Sequence, residues 1–360
     1  MNRLAYLPKA PPNAMPVNAM TVDVEDYFQV YAFFHCIPRD SWDRYACRVE
    51  ANVDRILAQF AAAGVSATFF TLGWIAERHP AMVRRIVDAG HELASHGYDH
   101  RRVDRMDPAA FREDLRRTMG ILEDTGGVAV RGYRAPTFSI GATTPWAFDI
   151  IAETGHRYSS SVNPVQSDNY GMPDAPRTPY RPAGTDLWEF PMTTARLFGR
   201  NLPCSGGGYF RLLPYALFRR GFTGATVGEG HSGIFYFHPW EVDPEQPRVP
   251  ACGCKSRLRH YTNLARMSAK LDRLLADFAW DRIDRVFAAQ LASGPAGNPR
   301  ASSTGGIAAG GTAAGSTTAS VTAAAGMAET DTPASDTPAS DTSASSTARA
   351  ASTTRADATA

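Results

Sequence analysis

From residue 18 to about residue 160, strand-like runs alternate with helix-period patterns, and no other feature limits the fold as tightly. Residues 18–24 read as a strand, 49–63 as an amphipathic helix ending at Gly64, and 66–71 as a second strand. A helix over 80–89 is opened by Pro80 and closed by Gly90. Then follow a strand at 91–95, a helix at 108–124, a strand at 128–133, a helix at 144–154 and a strand at 156–160. Strands separated by helices pair in parallel through crossovers, so the pattern predicts a mostly parallel α/β fold. A distorted (β/α) barrel with functional loops at the carboxyl ends of its strands satisfies it. The proline- and glycine-rich stretch 164–211 predicts long loops with short strands. Residues 214–221 follow as a helix, 232–237 as a strand and 255–278 as a helical run.

Composition sets only the outer limits. A chain of 360 residues, 44% of them apolar, accommodates one large domain, taken here as residues 17–290. Residues 1–16 read as a flexible segment. From residue 294 the chain becomes Ala, Ser, Thr and Gly, too poor in large apolar groups to offset its ordering entropy, and 294–360 is expected to be a disordered tail. A net charge of +1 gives no basis for binding nucleic acid. No run approaches the roughly 18 apolar residues of a membrane span. The amino-terminal stretch is interrupted by prolines where a signal peptide has its apolar core, so the expected location is cytoplasmic, or periplasmic if the start is misassigned. The five scattered cysteines read as reduced structural thiols, and Cys252-Gly-Cys254 lacks the second pair of a zinc knuckle.

Four polar clusters fall at or just after strand ends. Asp23-Val-Glu25-Asp26 packs three carboxylates into four residues, which repel unless a cation or an arginine compensates; a solvated turn is the plain alternative. His96 and His100, in Ser95-His-Gly-Tyr-Asp-His100, are spaced i, i+4 and can meet one metal ion, although surface histidines also pair by chance. Arg134, in Arg131-Gly-Tyr-Arg-Ala-Pro136, either pairs with a carboxylate of the first cluster or serves as a structural arginine. His238 ends an apolar strand and is a candidate general acid or a satisfied core histidine. Two imidazoles, a carboxylate, a second carboxylate as base and a third imidazole as acid make up the parts of a metal-assisted hydrolase. No G-x-S-x-G nucleophile elbow competes with them.

These residues resemble the NodB-homology polysaccharide deacetylases, carbohydrate esterase family 4, over roughly residues 17–289. The 95–100 stretch is similar to the motif H-[ST]-x-x-H, with Gly97 at the Ser/Thr position, and residues 131–136 and His238 are similar to later motifs. Val22-Asp-Val-Glu-Asp-Tyr-Phe28, Gly206-Gly-Gly-Tyr-Phe210 and Phe237-His-Pro-Trp-Glu241 resemble a subgroup found in exopolysaccharide loci linked to exosortase. The resemblance implies a divalent metal, zinc above all, and an acetylated polysaccharide or oligosaccharide substrate. It implies Asp23 as base, His96 and His100 as metal ligands, Arg134 holding the base and His238 as acid. It also implies an oxyanion donor at the Thr137 backbone N–H, with Tyr133 and Pro136 beside the substrate. Trp74, Trp188 and Trp240 could supply apolar stacking faces for sugar rings, with core packing the expected role of at least two of them. The family has adjacent aspartates where Asp23 is followed here by Val24, so the metal carboxylate is either Glu25 or Asp26. Strand alternation favours Glu25, but Asp26 is the usual ligand type with the shorter side chain and is preferred here. The aspartate that orients the acid in relatives is missing at Tyr158-Ser-Ser-Ser161, and Asp168 is the nearest substitute. Hydrolysis of a small non-sugar amide on the same barrel, or a catalytically inactive sugar-binding scaffold, are the competing expectations.

Overall fold

The computed structural model describes residues 15–167, 170–249 and 252–293. The tail expected from residue 294 and all but the last two residues of the amino-terminal segment lie outside them, as does Asp168.

The alternating runs form a curled parallel sheet. Strands β1 (Asn18–Val24), β2 (Thr68–Thr71), β3 (Glu92–Ser95), β4 (Gly132–Tyr133), β5 (Tyr158–Ser159) and β6 (Trp188–Glu189) pair in that order, all parallel. Their crossovers carry α1 (Val49–Ala63), α2 (Gly73–Arg78), α3 (Pro80–Asp88), α4 (Pro108–Gly126) and α5 (Trp146–Glu153). A hairpin, β7 (Thr194–Leu197) and β8 (Arg200–Pro203), follows, then α6 (Gly207–Leu212) and α7 (Tyr215–Ala225). Strand β9 (Ile234–Phe237) returns to β1 along Ala19–Val22, and β10 (Trp280–Asp281) pairs Asn18 and Ala19. β1 is therefore the central strand of an incomplete barrel, and its seven residues are all buried. Three of them, Asn18, Thr21 and Asp23, are polar, so β1 departs from the continuous apolar run usual for a strand buried on both faces.

Several strands are shorter than expected. Only Gly132 and Tyr133 of the run 128–133 pair, because β4 touches β3 through a single partner, Ser95 with Tyr133. The helical run 255–278 is two helices, α8 (Cys254–Tyr261) and α9 (Met267–Asp277), separated around Asn263, whose φ of 56° lies in the left-handed region. Cys36 and Cys252 form a disulfide, which corrects the expectation that all five thiols are reduced. Sequence spacing could not pair residues 216 positions apart.

Candidate metal centre and its flanking acid and base

The sheet delivers its polar clusters to one rim. Glu25 follows the last residue of β1, His96 the last of β3, and His238 the last of β9. One carboxylate oxygen of Glu25 and one ring nitrogen each of His96 and His100 lie within 4.8 Å of one another, and all three residues are buried. The His96 Nδ1 lies 2.9 Å from the Arg134 carbonyl, which can only accept, so Nδ1 carries the proton and Nε2 presents a lone pair. Burial pushes the His96 imidazole down to about 4, keeping it neutral. Burial alone would raise the Glu25 carboxyl, but His100, His238 and His96 together hold it at about 2. An ionised carboxylate and imidazole nitrogens at this spacing fit a divalent ion of the zinc type.

The loop that turns His100 toward His96 is held from three sides. The first amides of α2 reach across to it: Gly73 N–H donates to Gly97 O at 3.0 Å and Trp74 N–H to Tyr98 O at 2.9 Å. These N–H groups have no partner within their own helix. Asp114 accepts from Tyr98 N–H, and the Arg39 guanidinium donates to the carbonyls of Asp99 and His100. Gly97 has φ +74° and a Cβ there would lie 3.0 Å from the Asp114 carboxylate. Glycine in place of the family's Ser/Thr thus has a backbone reason. His100 itself adopts φ 57°, strain of the kind that persists where the surroundings over-determine a conformation.

Asp23 stands two residues before Glu25 and is engaged differently. Arg134, fully buried, donates from Nη1 to Asp23 Oδ1 at 2.7 Å and to Thr21 Oγ1 at 2.8 Å. Its Nε and Nη2 donate to the carbonyl and hydroxyl of Ser160, and its guanidinium lies 4.0 Å from the Phe70 ring centroid. The charge-assisted pair fixes the orientation of the carboxylate.

Asp26, the preferred metal carboxylate on sequence grounds, is not in the cluster. Its Oδ1 accepts from Tyr27 N–H at 2.7 Å, and its Oδ2 from Arg48 and Val49 N–H at 2.5 and 2.9 Å. It caps α1 from outside, satisfying amides at that helix's amino terminus. Glu25 faces the histidines instead, as the period-2 alternation from Asp23 would have it.

Across from His100, Glu25 meets His238: His100 Nε2 is 2.8 Å from Oε2, and His238 Nε2 is 3.4 Å from Oε1. The other His238 nitrogen, Nδ1, lies 2.8 Å from Glu241 Oε1. Burial opposes charge on the His238 imidazole, but Glu25 and Glu241 outweigh it and raise it to about 9. Glu241 was legible in the sequence as part of Phe237-His-Pro-Trp-Glu241, yet only the turn Pro239–Val242 folds its carboxylate back onto the ring.

The expected substrate contacts divide. Tyr133 is wholly buried against Phe111 and His156, so it belongs to the core and does not face the rim. Trp240 is not an open stacking surface either, since one indole lies between the rings of His238 (5.2 Å) and His260 (4.0 Å), both nearly parallel to it. Trp74 packs edge-on to Phe28 and Trp42. Pro136 lies against the Gly97 turn. Thr137 and Phe138 have φ of 57° and 49°, and Thr137 Oγ1 is buried with no hydrogen-bond partner among the described residues.

A curled parallel barrel thus carries at its carboxyl rim a buried two-histidine, one-carboxylate cluster that could hold a metal ion. Residues 40–159 match the family model for polysaccharide deacetylases, and residues 160–288 match a model described as a domain of unknown function, DUF3473. Over that first region the chain is similar to the NodB-type polysaccharide deacetylases. A Helicobacter pylori peptidoglycan deacetylase is 29% identical over 113 residues, which is 31% of this chain and 38% of that protein. A Bacillus cereus peptidoglycan-N-acetylglucosamine deacetylase is 34% identical over 82 residues, 23% of this chain and 30% of that one. The chain thus spans less than two-fifths of the length of these relatives. A solved structure from Mycobacterium smegmatis, described as a polysaccharide deacetylase, superposes with a TM-score of 0.50 at 20% identity, covering 79% of this chain and 94% of that one. The boundary between the two matched regions falls at the end of β5, inside the sheet: Arg134 of the first half is held by Ser160 of the second, and His238 comes from the second as well.

Proposed function

We propose that the protein hydrolyses acetyl groups from N-acetylated sugars of a polysaccharide with the help of a divalent metal ion, zinc fitting the donor set best. The observation that carries this reading is the convergence of Glu25, His96 and His100 within 4.8 Å, with Asp23 and His238 beside them. Glu25, His96 and His100 would hold the ion, which when bound would polarise the acetyl carbonyl and make water more acidic. Asp23, held by Arg134, takes the proton from the attacking water. His238 passes a proton from Nε2 to the departing sugar nitrogen. The Thr137 backbone N–H, in its left-handed turn beside Pro136, donates to the oxyanion.

The motifs shared with the exopolysaccharide-locus subgroup make an exopolysaccharide the substrate we favour, and the match of residues 160–288 is in keeping with it. No described helix is long and apolar enough to cross a membrane. The Cys36–Cys252 disulfide favours an oxidising compartment over the cytoplasm.

Purified protein loaded with zinc should release acetate from an N-acetylated chitooligosaccharide, and faster from the oligomer than from monomeric N-acetylglucosamine or a small amide. His96→Ala should lose both the bound zinc and turnover. Unchanged turnover in that variant would refute the site, and a wild-type protein that binds no zinc and releases no acetate would favour the inactive scaffold.

A further inference from the structure

We propose that Glu241 and Arg211 are a positioning pair that fixes the His238 ring, and that the region matched only as a domain of unknown function supplies the mount of the proton donor. The proposal rests on the reading of His238 as that donor.

Both oxygens of Glu241 are committed. Oε1 accepts from His238 Nδ1 at 2.8 Å and from the His238 backbone N–H at 3.1 Å; Oε2 accepts from Arg211 Nε at 2.6 Å. Glu241 and Arg211 are both buried, so the pair must be mutually neutralised to be tolerated. The remaining donors of Arg211 go to carbonyls at the carboxyl end of α8: Nη1 to His260 O at 3.0 Å and Thr262 O at 2.5 Å, and Nη2 to Arg259 O at 3.3 Å. Those carbonyls have no partner within their helix and sit at the negative end of its dipole. One helix both admits and grips the carboxylate. A Cβ on Gly207 would lie 2.2 Å from Glu241 Oε1, and Arg211 stands one turn further along the same α6. A second line of support runs in parallel, since His260 of α8 stacks on Trp240, which stacks on His238.

This arrangement assigns the proton on each ring nitrogen. A carboxylate with both oxygens occupied by donors can only accept from Nδ1, so Nδ1 keeps its proton throughout. The proton given to the sugar nitrogen leaves from Nε2, and the ring is left as the neutral Nδ1–H tautomer. A salt bridge serving only to tie the 239–242 turn to α6 would make no such demand.

The test uses the full chain loaded with zinc, acetate release from chitooligosaccharide, and 15N NMR of histidine-labelled protein. In the wild type the neutral His238 ring should be the Nδ1–H tautomer. Glu241→Gln, whose new amide can donate to Nδ1, should shift the ring toward the Nε2–H form. It should lower kcat about 10- to 100-fold, with KM within about twofold and zinc stoichiometry unchanged. Gly207→Ala, which removes no polar group but displaces the carboxylate, should lower kcat in the same direction, and it serves if Glu241→Gln does not fold. Glu241→Asp, which keeps an acceptor, should recover part of the loss. An Nε2–H tautomer in the wild type, or wild-type kcat in a folded Glu241→Gln protein, would overturn the proposal. If the wild type releases no acetate at all, the deacetylase reading fails, while the tautomer measurement still decides the positioning pair.

Discussion

Replacing Arg134 by methionine tests whether Asp23, the base we propose, is held by a buried ion pair. Arg134 has no exposed surface, and Asp23 is 2% exposed. The guanidinium makes four contacts of 2.7 to 3.0 Å, to Asp23, Thr21 and twice to Ser160. Arg134→Met leaves the Asp23 carboxylate buried with no counter-charge, a change that costs about 3–5 kcal/mol. For a domain of this size each kcal/mol lowers Tm by about 2–4 °C, so Tm should drop by about 6–20 °C. Asp23→Asn keeps an acceptor for Arg134 and should cost about 1.5–3 kcal/mol. If the two charges depend on each other, the double variant will be less destabilised than the sum of the singles by about 1–3 kcal/mol. Thermal and urea denaturation of the metal-free chain measure all four proteins, and acetate release by the loaded Asp23→Asn variant should fall to background. A loss below about 1 kcal/mol for Arg134→Met, or effects that add within about 0.5 kcal/mol, would show that the pair is not what holds Asp23 in place.

Glu25→Gln should weaken zinc binding at least tenfold by calorimetry, because it removes the charged oxygen donor. Asp26→Asn should leave zinc affinity within about threefold and lower stability by about 1–2 kcal/mol through the lost cap; the opposite ranking would return Asp26 to the metal. Thiol titration of the denatured, unreduced protein should find three free cysteines, Cys47, Cys204 and Cys254, and five would remove the disulfide. Glu189 gives a pH signature away from the metal. Burial raises its carboxyl to about 7, although Ser161 and Val162 N–H both donate to it. A carboxyl raised on folding keeps its proton in the native state while the unfolded chain releases it, so its stabilising contribution is complete below about pH 4.5 and is lost as the pH climbs through about 7. Relative to wild type, Glu189→Gln should therefore gain stability between those values in urea titrations, and parallel pH profiles would count against it.

The helical and strand periods of residues 18–160 carry the architecture because each run must bury one face or both, and only a parallel α/β arrangement does so for all of them. Helix α1 spans the residues its pattern and Gly64 delimit, since its ends are signalled locally. The candidate chemistry was equally legible: Asp23, His96, His100, Arg134 and His238 each end or follow an apolar run, and parallel strands bring such ends to one rim. The choice between Glu25 and Asp26 was not. It turns on amides of Arg48 and Val49 that take Asp26 away, a contact more than twenty residues distant in the chain. The partner of His238 was hidden for a related reason. Glu241 lies three positions away, but a carboxylate at that spacing orients a ring only when a turn folds it back, a glycine on another helix leaves it room, and a buried arginine neutralises it. Local periodicity is set by each residue's own neighbours. Which buried acid meets a cation, a helix end or an imidazole is set by groups that only chain folding brings near.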